Sequence, residues 1–243
     1  GRIWDDALRA EVRVSTFPTL YGERSVLRLL GASREELDSI QLLGLPPSVV
    51  GELEKNLAST SGAVLIVGPA GSGKTTTAYA CLRQIVAHSG GGRSIASLED
   101  PIEVAVNGVS QTQVNLAADF DMATGLRSLL RLDPEVILIG EMRDRPTAEI
   151  ALQAALTGQL AITTFHAGDC RDAINRLIDL GIPDYAVRNA VRLVVAQRLV
   201  RRLCKCALAG DPPLDAQPLG LGVKQCWLPS TCDACHHTGY RGR

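Results

Sequence analysis

The sequence has 243 residues, a formal net charge of -1, 46% hydrophobic residues and only 4% aromatic ones. A chain of that length buries roughly 70% of its unfolded surface, enough for one large α/β domain or two small ones. Its 21% of charged residues, balanced in sign, is not the composition of a disordered chain, and near-neutrality with few aromatics argues against a nucleic-acid partner held by charge or base stacking.

In chain order, Val12–Ser15 and Ser25–Leu30 read as short strands around a turn at 17–22. The chain opens on Gly1 rather than Met, and residues 1–33 read as the tail of an upstream domain. Ser33-Arg34-Glu35-Glu36 is a capping-box pattern, and Pro46-Pro47 opens a helix running to about Ser59, so 34–61 is expected to be a helical linker. From Gly62 the pattern changes. Ala63–Val67, Ser94–Leu98, Val136–Ile139 and Leu160–Thr164 are predicted strands, alternating with predicted helices over Thr75–His88, Met122–Leu132, Pro146–Leu156 and Arg171–Leu180. Such alternation implies an α/β fold with a parallel sheet and helices on both faces. Asp184–Leu203 is expected as a long amphipathic helix or helix pair, completing a core of residues 62–203. Ala207–Gly222 reads as a Pro/Gly-rich loop within a cysteine-rich region, 204–243. No apolar run approaches the ~20 residues of a bilayer span, and Asp5 and Asp6 stand where a signal peptide is basic and then apolar. The expected compartment is the cytosol.

Gly68, Pro69, Ala70, Gly71, Ser72, Gly73, Lys74 and Thr75 satisfy G-x-x-x-x-G-K-[ST] at every fixed position, between a predicted strand and a predicted helix. The glycines let backbone N–H groups wrap phosphate oxygens, and the helix N-terminus adds positive potential. Lys74 is expected on the β/γ-phosphates of ATP and the Thr75 hydroxyl on Mg²⁺, with Thr76 following in the same turn. Two acidic strand ends accompany the loop. Glu99-Asp100-Pro101-Ile102-Glu103 sits past the second strand, where carboxylates can face the γ-phosphate across the sheet's C-terminal edge. Val136–Ile139 then leads through Gly140 to Glu141, a Walker B pattern whose carboxylate can orient Mg²⁺ or polarise the attacking water.

Five segments in one order carry a resemblance: VRVSTFPTLYGERSVLRLL (12–30), GPAGSGKTTTAYA (68–80), SLEDPIE (97–103), LLRLDPEVILIGEMRD (129–144) and TGQLAITTFHAGD (157–169). Together they resemble the secretion ATPases of type II secretion and type IV pilus assembly. The resemblance implies a RecA-like P-loop core preceded by a PAS-like domain. It also implies assembly as a homo-hexamer that powers pilin or pseudopilin assembly through inner-membrane platform and anchoring proteins. Residue by residue, it makes Glu99 or Glu103 the catalytic base, Glu141 the Walker B glutamate and His166 the second histidine of a His box. The first histidine of that box is replaced by Gln159, which can still donate a hydrogen bond. Arginine outnumbers lysine 21 to 4, and a few arginines match family positions. Arg13 and Arg28 flank the first hairpin, whose domain in relatives reaches a neighbouring nucleotide. Arg127 and Arg131 lie four apart before the Walker B strand, and Arg176 follows the His box. All five are candidates to grip phosphate or couple subunit closure to hydrolysis.

Five of the seven cysteines fall in the last forty residues. Cys232-x-x-Cys235 with Cys204 and Cys206 points to a four-cysteine Zn²⁺ site, although C-x-C brings two thiolates together less readily than the C-x-x-C usual in the family. Cys226 or His236 are alternative ligands, and Cys81 and Cys170 read as packing residues. In the family the zinc module is typical of assembly rather than retraction ATPases. The competing readings are a pilus-retraction ATPase, a RecA-like nucleic-acid translocase and a non-hydrolysing nucleotide-binding module.

Overall fold

A computed structural model describes residues 2–6, 10–30, 39–211 and 225–242, and divides the chain into two compact units, Gly1–Gln197 and Arg198–Arg243. In the first unit, β1 (Arg2–Asp5), β2 (Ala10–Thr19) and β3 (Gly22–Leu30) form a three-stranded antiparallel sheet. Its strands outrun the sequence pattern. Phe17, Pro18 and Thr19 are paired strand rather than turn, and the reversal is confined to Leu20-Tyr21. Pro18 is tolerated because β1 pairs only as far as Arg13, leaving this part of β2 an edge. The capping-box pattern at Ser33–Glu36 lies outside the described residues.

The central sheet has six strands: β4 (Gly62–Val67), β5 (Ile95–Glu99), β6 (Ser110–Gln113), β7 (Val136–Ile139), β8 (Leu160–Phe165) and β9 (Val191–Ala196). Their spatial order is β6-β5-β7-β8-β4-β9, and every pair is parallel. The helices are α1 (Pro47–Leu57), α2 (Lys74–Ser89), α3 (Met122–Leu130), α4 (Arg145–Leu156), α5 (Cys170–Asp179) and α6 (Asp184–Ala190). Alternation along each strand feeds two cores. Ala63, Leu65 and Val67 pack with residues of α3, α4, α5 and α6, whereas Val64 and Ile66 pack with residues of α1 and α2. Ile137 and Ile139 against Val136 and Leu138 repeat the division in β7. The segment expected as a linker belongs to this packing, since Ile40, Leu53 and Leu57 are buried in the α1/α2 core.

Two elements of the central sheet differ from expectation. The predicted long helix at 184–203 stops at Ala190, and Val191–Ala196 is instead the edge strand beside β4. Three of the five residues Val-Arg-Leu-Val-Val are β-branched and lose χ1 freedom in a helix. As a strand, this run sends Leu193 and Val195 to one core and Val191 and Val194 to the other. β6, with the sequence SQTQ, is largely exposed and has no apolar alternation to announce it.

In the second unit, β10 (Leu208–Gly210) pairs antiparallel with β11 (Cys226–Leu228), so part of the expected loop is strand. Among the described residues, no helix is long and apolar enough to cross a membrane.

Candidate nucleotide site and cysteine cluster

Because the strands are parallel, β4, β5, β7 and β8 all end on one edge of the sheet, and the loop, Glu99, Glu141 and His166 follow from those ends. The loop turns directly from β4 into α2 through Gly71 at φ 72° and Gly73 at φ 88°. Gly68 is required by space as well as by conformation. At φ 153°, a Cβ there would stand 2.4 Å from the Gln197 carbonyl and 2.6 Å from Ser72 Oγ. Gln197, just beyond β9, also donates from Nε2 to the Ser72 carbonyl at 2.7 Å, so the last strand braces the loop.

Lys74 is buried and folds back to donate to the carbonyls of Gly68 at 2.9 Å and Pro69 at 3.0 Å. Burial lowers its pKa, and the nearby charge of Glu141 opposes that effect. Ser72 Oγ is buried with no hydrogen-bond partner among the described residues, while Pro69, Ala70 and Gly71 are exposed. Glycine conformations, a buried ammonium and the α2 N-terminus converge on one loop, which fits a phosphate chain. Thr75, in the first turn of α2, and Glu141 supply oxygen donors of the kind Mg²⁺ takes.

Glu141 gathers cations. Its Oε1 lies 3.0 Å from His166 Nε2, and its Oε2 accepts from Arg143 Nε at 2.8 Å and Nη2 at 2.5 Å. That hydrogen bonding, reinforced by the carboxylate's charge, raises the Arg143 pKa. His166 is held from behind by Arg176, whose Nη1 donates to the His166 carbonyl and whose guanidinium lies 5.7 Å from the Phe165 ring centroid. Arg176 is therefore engaged on the His166 turn. Gln159 stands at the opposite end of β8, a strand of roughly 20 Å. Its Oε1 accepts from Thr157 Oγ1 at 3.0 Å, so within one chain it is out of reach of a phosphate bound by Lys74.

Glu99 and Glu103 part company. Glu99 is 2% exposed, and its carboxylate accepts from Tyr79 OH, from Ser97 Oγ at 2.5 Å and from Gln111 Nε2 at 3.0 Å. Burial first, and then the Glu99 carboxylate, push the Tyr79 phenol well above its ordinary pKa. Glu103 is exposed, and its backbone N–H donates to Tyr79 OH at 3.0 Å.

The remaining arginines lie elsewhere. Arg13 is directly opposite Arg28 across β2 and β3. Arg127 and Arg131 are exposed on and just beyond α3; Arg127 lies near Asp121, and Arg131 donates to Ser128 Oγ at 3.1 Å.

Cys204, Cys206, Cys232 and Cys235 present sulfurs that all lie within 4.8 Å of one another. Separations of 3.8 Å (Cys204 to Cys232), 3.9 Å (Cys206 to Cys235) and 3.7 Å (Cys232 to Cys235) are far too long for disulfides. They match the ~3.8 Å edge of a tetrahedron with metal–sulfur bonds of ~2.3 Å. The C-x-C pair thus joins the cluster, and Cys226 and His236 do not belong to it. Gly239 N–H donates to Cys235 Sγ at 3.3 Å, which favours thiolate. Cys81 is fully buried, and burial pushes its thiol up to about 12; Cys170, against expectation, is exposed at the start of α5.

Tyr79, Gln111, Arg143 and Gln197 were not singled out from sequence. Arg143 had a local signal, two residues beyond Glu141. The other three act across long sequence separations that no local pattern reveals.

The profile of a family described as Type II/IV secretion system protein matches residues 5–243. Type II secretion system protein E of Aeromonas hydrophila is 43% identical over 238 residues, covering 96% of this chain and 47% of that protein. The type IV pilus assembly ATPase PilB of Thermus thermophilus is 38% identical over 249 aligned positions, covering 100% of this chain and 28% of that protein. Among solved structures, the pilus retraction motor PilT with bound ADP matches with a TM-score of 0.64 at 28% identity, over 89% of this chain and 58% of that one. The ATPase DotB of Legionella pneumophila gives 0.65 at 27%, over 79% and 55%. These neighbours share the RecA-like fold, and the chain spans about half the length of the type II relatives it matches. A single profile running through both units, with identities above 40% to type II secretion proteins, places this chain in the Type II/IV secretion system protein family.

Proposed function

We propose that this chain is the ATP-hydrolysing part of a ring-forming motor that powers pilin or pseudopilin assembly in type II secretion or type IV pilus biogenesis. The observation that carries this reading is the convergence of Lys74, Glu141 and His166 on the sheet edge that also bears the 99–103 segment. Lys74 exchanges the Gly68 and Pro69 carbonyls for phosphate oxygens, and the backbone of Gly71, Ser72 and Gly73 cradles the phosphates. Thr75 and Glu141 would hold Mg²⁺, which would supply charge neutralisation to the phosphate chain. Exposed Glu103 is favoured over Glu99 as the base that takes a proton from the attacking water, because the Glu99 carboxylate is committed to three donors. His166 orients Glu141.

Arg13, Arg28, Arg127 and Arg131 serve a neighbouring subunit of a homo-hexamer, an assignment supported by the exposure of Arg127 and Arg131 and the pairing of Arg13 with Arg28. The β1–β3 sheet is then the edge of an upstream domain, in keeping with a chain half as long as its type II relatives. Residues 34–61 join it to the ATPase core at 62–203, an assignment in which Ile40, Leu53 and Leu57 pack on that core, and the region 204–243 would hold Zn²⁺ on the four clustered cysteines. The motor works in the cytoplasm, held at the inner membrane through platform and anchoring proteins. Likeness to PilT favours a retraction motor as second reading; stoichiometric zinc argues for the assembly branch.

Phosphate release by the assembled full-length protein tests the reading. Lys74→Ala is expected to abolish nucleotide binding, and Glu141→Gln to lower hydrolysis by ~100-fold or more while ATP still binds. ATP binding without hydrolysis by the wild type would instead indicate a regulatory module, and stimulation by DNA a translocase.

A further inference from the structure

The 99–106 segment is held in an unusual way. The backbone N–H groups of Ile102, Glu103 and Val106 are taken by side chains: Gln113 Oε1 at 3.2 Å, Tyr79 OH at 3.0 Å and Gln111 Oε1 at 2.7 Å. Gln111 Nε2 also donates to the Val104 carbonyl at 3.1 Å and to Glu99. Tyr79 alone among these scaffold side chains comes from outside β5, β6 and their loop. It lies on α2, five residues after Lys74, and is 3% exposed. Its hydroxyl donates to Glu99 and accepts from the Glu103 N–H, so one oxygen bridges the Glu99 carboxylate and the Glu103 backbone.

We infer that Tyr79 is a positioning residue that sets Glu103 relative to the phosphate loop, with buried Glu99 as its anchor. The inference rests on the reading of Glu103 as the base. α2 carries Lys74 in its first turn and Tyr79 in its second, so phosphate grip and base placement share one rigid element. Glu99 supplies the fixed end. Three neutral side chains donate to its carboxylate, and Tyr79 transmits that fixed point to the Glu103 amide. A base misplaced by about 1 Å loses on the order of 100-fold in rate while the phosphate loop, and with it substrate binding, is unaffected. Packing alone makes a different demand, because a phenyl ring fills the same space.

The test is Tyr79→Phe in the assembled full-length protein, read by steady-state hydrolysis, fluorescent-nucleotide binding and amide exchange with nucleotide bound. Expected is a kcat lower by ~10–100-fold with KM and nucleotide Kd within about twofold. Exchange at amides 102–106 should quicken while that of 74–78 stays as in wild type. An unchanged kcat and unchanged exchange, or a change confined to thermal stability, would overturn the inference while leaving the ATPase reading intact. A wild type that hydrolyses nothing would overturn that reading, and the exchange measurement would still decide whether Tyr79 holds the segment. Should Tyr79→Phe fail to fold, Gln113→Ala at an exposed edge position loosens the same segment. It is expected to lower kcat several-fold at constant KM, and no change there would equally overturn the inference.

Discussion

Glu141 meets three cationic or potentially cationic neighbours of its own chain, two of them by direct contact and Lys74 through its charge. Arg143 holds Glu141 Oε2 through both Nε and Nη2, and on the proposed reading the same carboxylate would be a Mg²⁺ ligand. A paired guanidinium is a strong competitor, since charge-assisted bonds of this kind are about twice as strong as neutral ones. Arg143→Ala is therefore expected to lower, by several-fold, the Mg²⁺ concentration at which nucleotide binding is half restored, and to leave nucleotide binding in chelator unchanged. Titration calorimetry at stepped Mg²⁺ concentrations checks this; an equal or higher Mg²⁺ requirement would show that Arg143 orients Glu141 rather than competing for it. Much of this site was legible residue by residue, because the phosphate loop and Glu141 are consecutive motifs at strand ends. Tyr79 and Gln111 were not, because what makes them matter is a carboxylate 20 and 12 residues away.

At the scale of elements, caps and strand pairing decide where the segments end. Asp121 caps α3 by accepting from the Thr124 N–H at 2.7 Å, and that bond holds its carboxyl below the usual range. A folded-state pKa lowered in this way stabilises above the unfolded value of ~3.9, and the stabilisation is lost as pH falls through the folded value. Asp121→Ala should thus melt below wild type at neutral pH, with the gap in Tm closing as pH drops below ~4. A gap that persists in acid would assign the cost to something other than the carboxylate. Apolar runs placed β4, β5, β7 and β8, and the alternating helical segments α2, α4 and α5, to within one residue at each end, since strands buried on both faces are continuous apolar runs bounded by turns. The same pattern misread 191–196, where apolar residues serve two faces and only pairing with β4 distinguishes strand from helix.

For the whole molecule, the two units carry separate tests. If Arg13 acts on a neighbour's nucleotide, Arg13→Ala should lower hydrolysis at least about tenfold without weakening ATP binding. Mixed rings of Arg13→Ala and Lys74→Ala chains should recover activity that neither shows alone; no recovery would place Arg13 on its own chain's site or outside catalysis. Arg131→Ala should likewise impair hydrolysis or assembly. In the second unit, elemental analysis is expected to find one zinc per chain. Cys206→Ser and Cys232→Ser should lose it, and Cys226→Ser should keep it, because only the first two belong to the cluster.

The sequence by itself determined the fold class, the phosphate-loop pattern, the carboxylate that follows β7 and the four cysteines, because each is written in consecutive residues or in a local period. Tertiary structure decided what contiguity cannot encode. It buried Glu99 and left Glu103 exposed, sent Gln159 to the far end of β8, and made 191–196 a strand. It also brought a C-x-C pair into one cluster of four sulfurs. Each of those outcomes depends on which distant segment supplies the hydrogen-bond partner or the opposite wall, and that is settled only when the parallel strands come together.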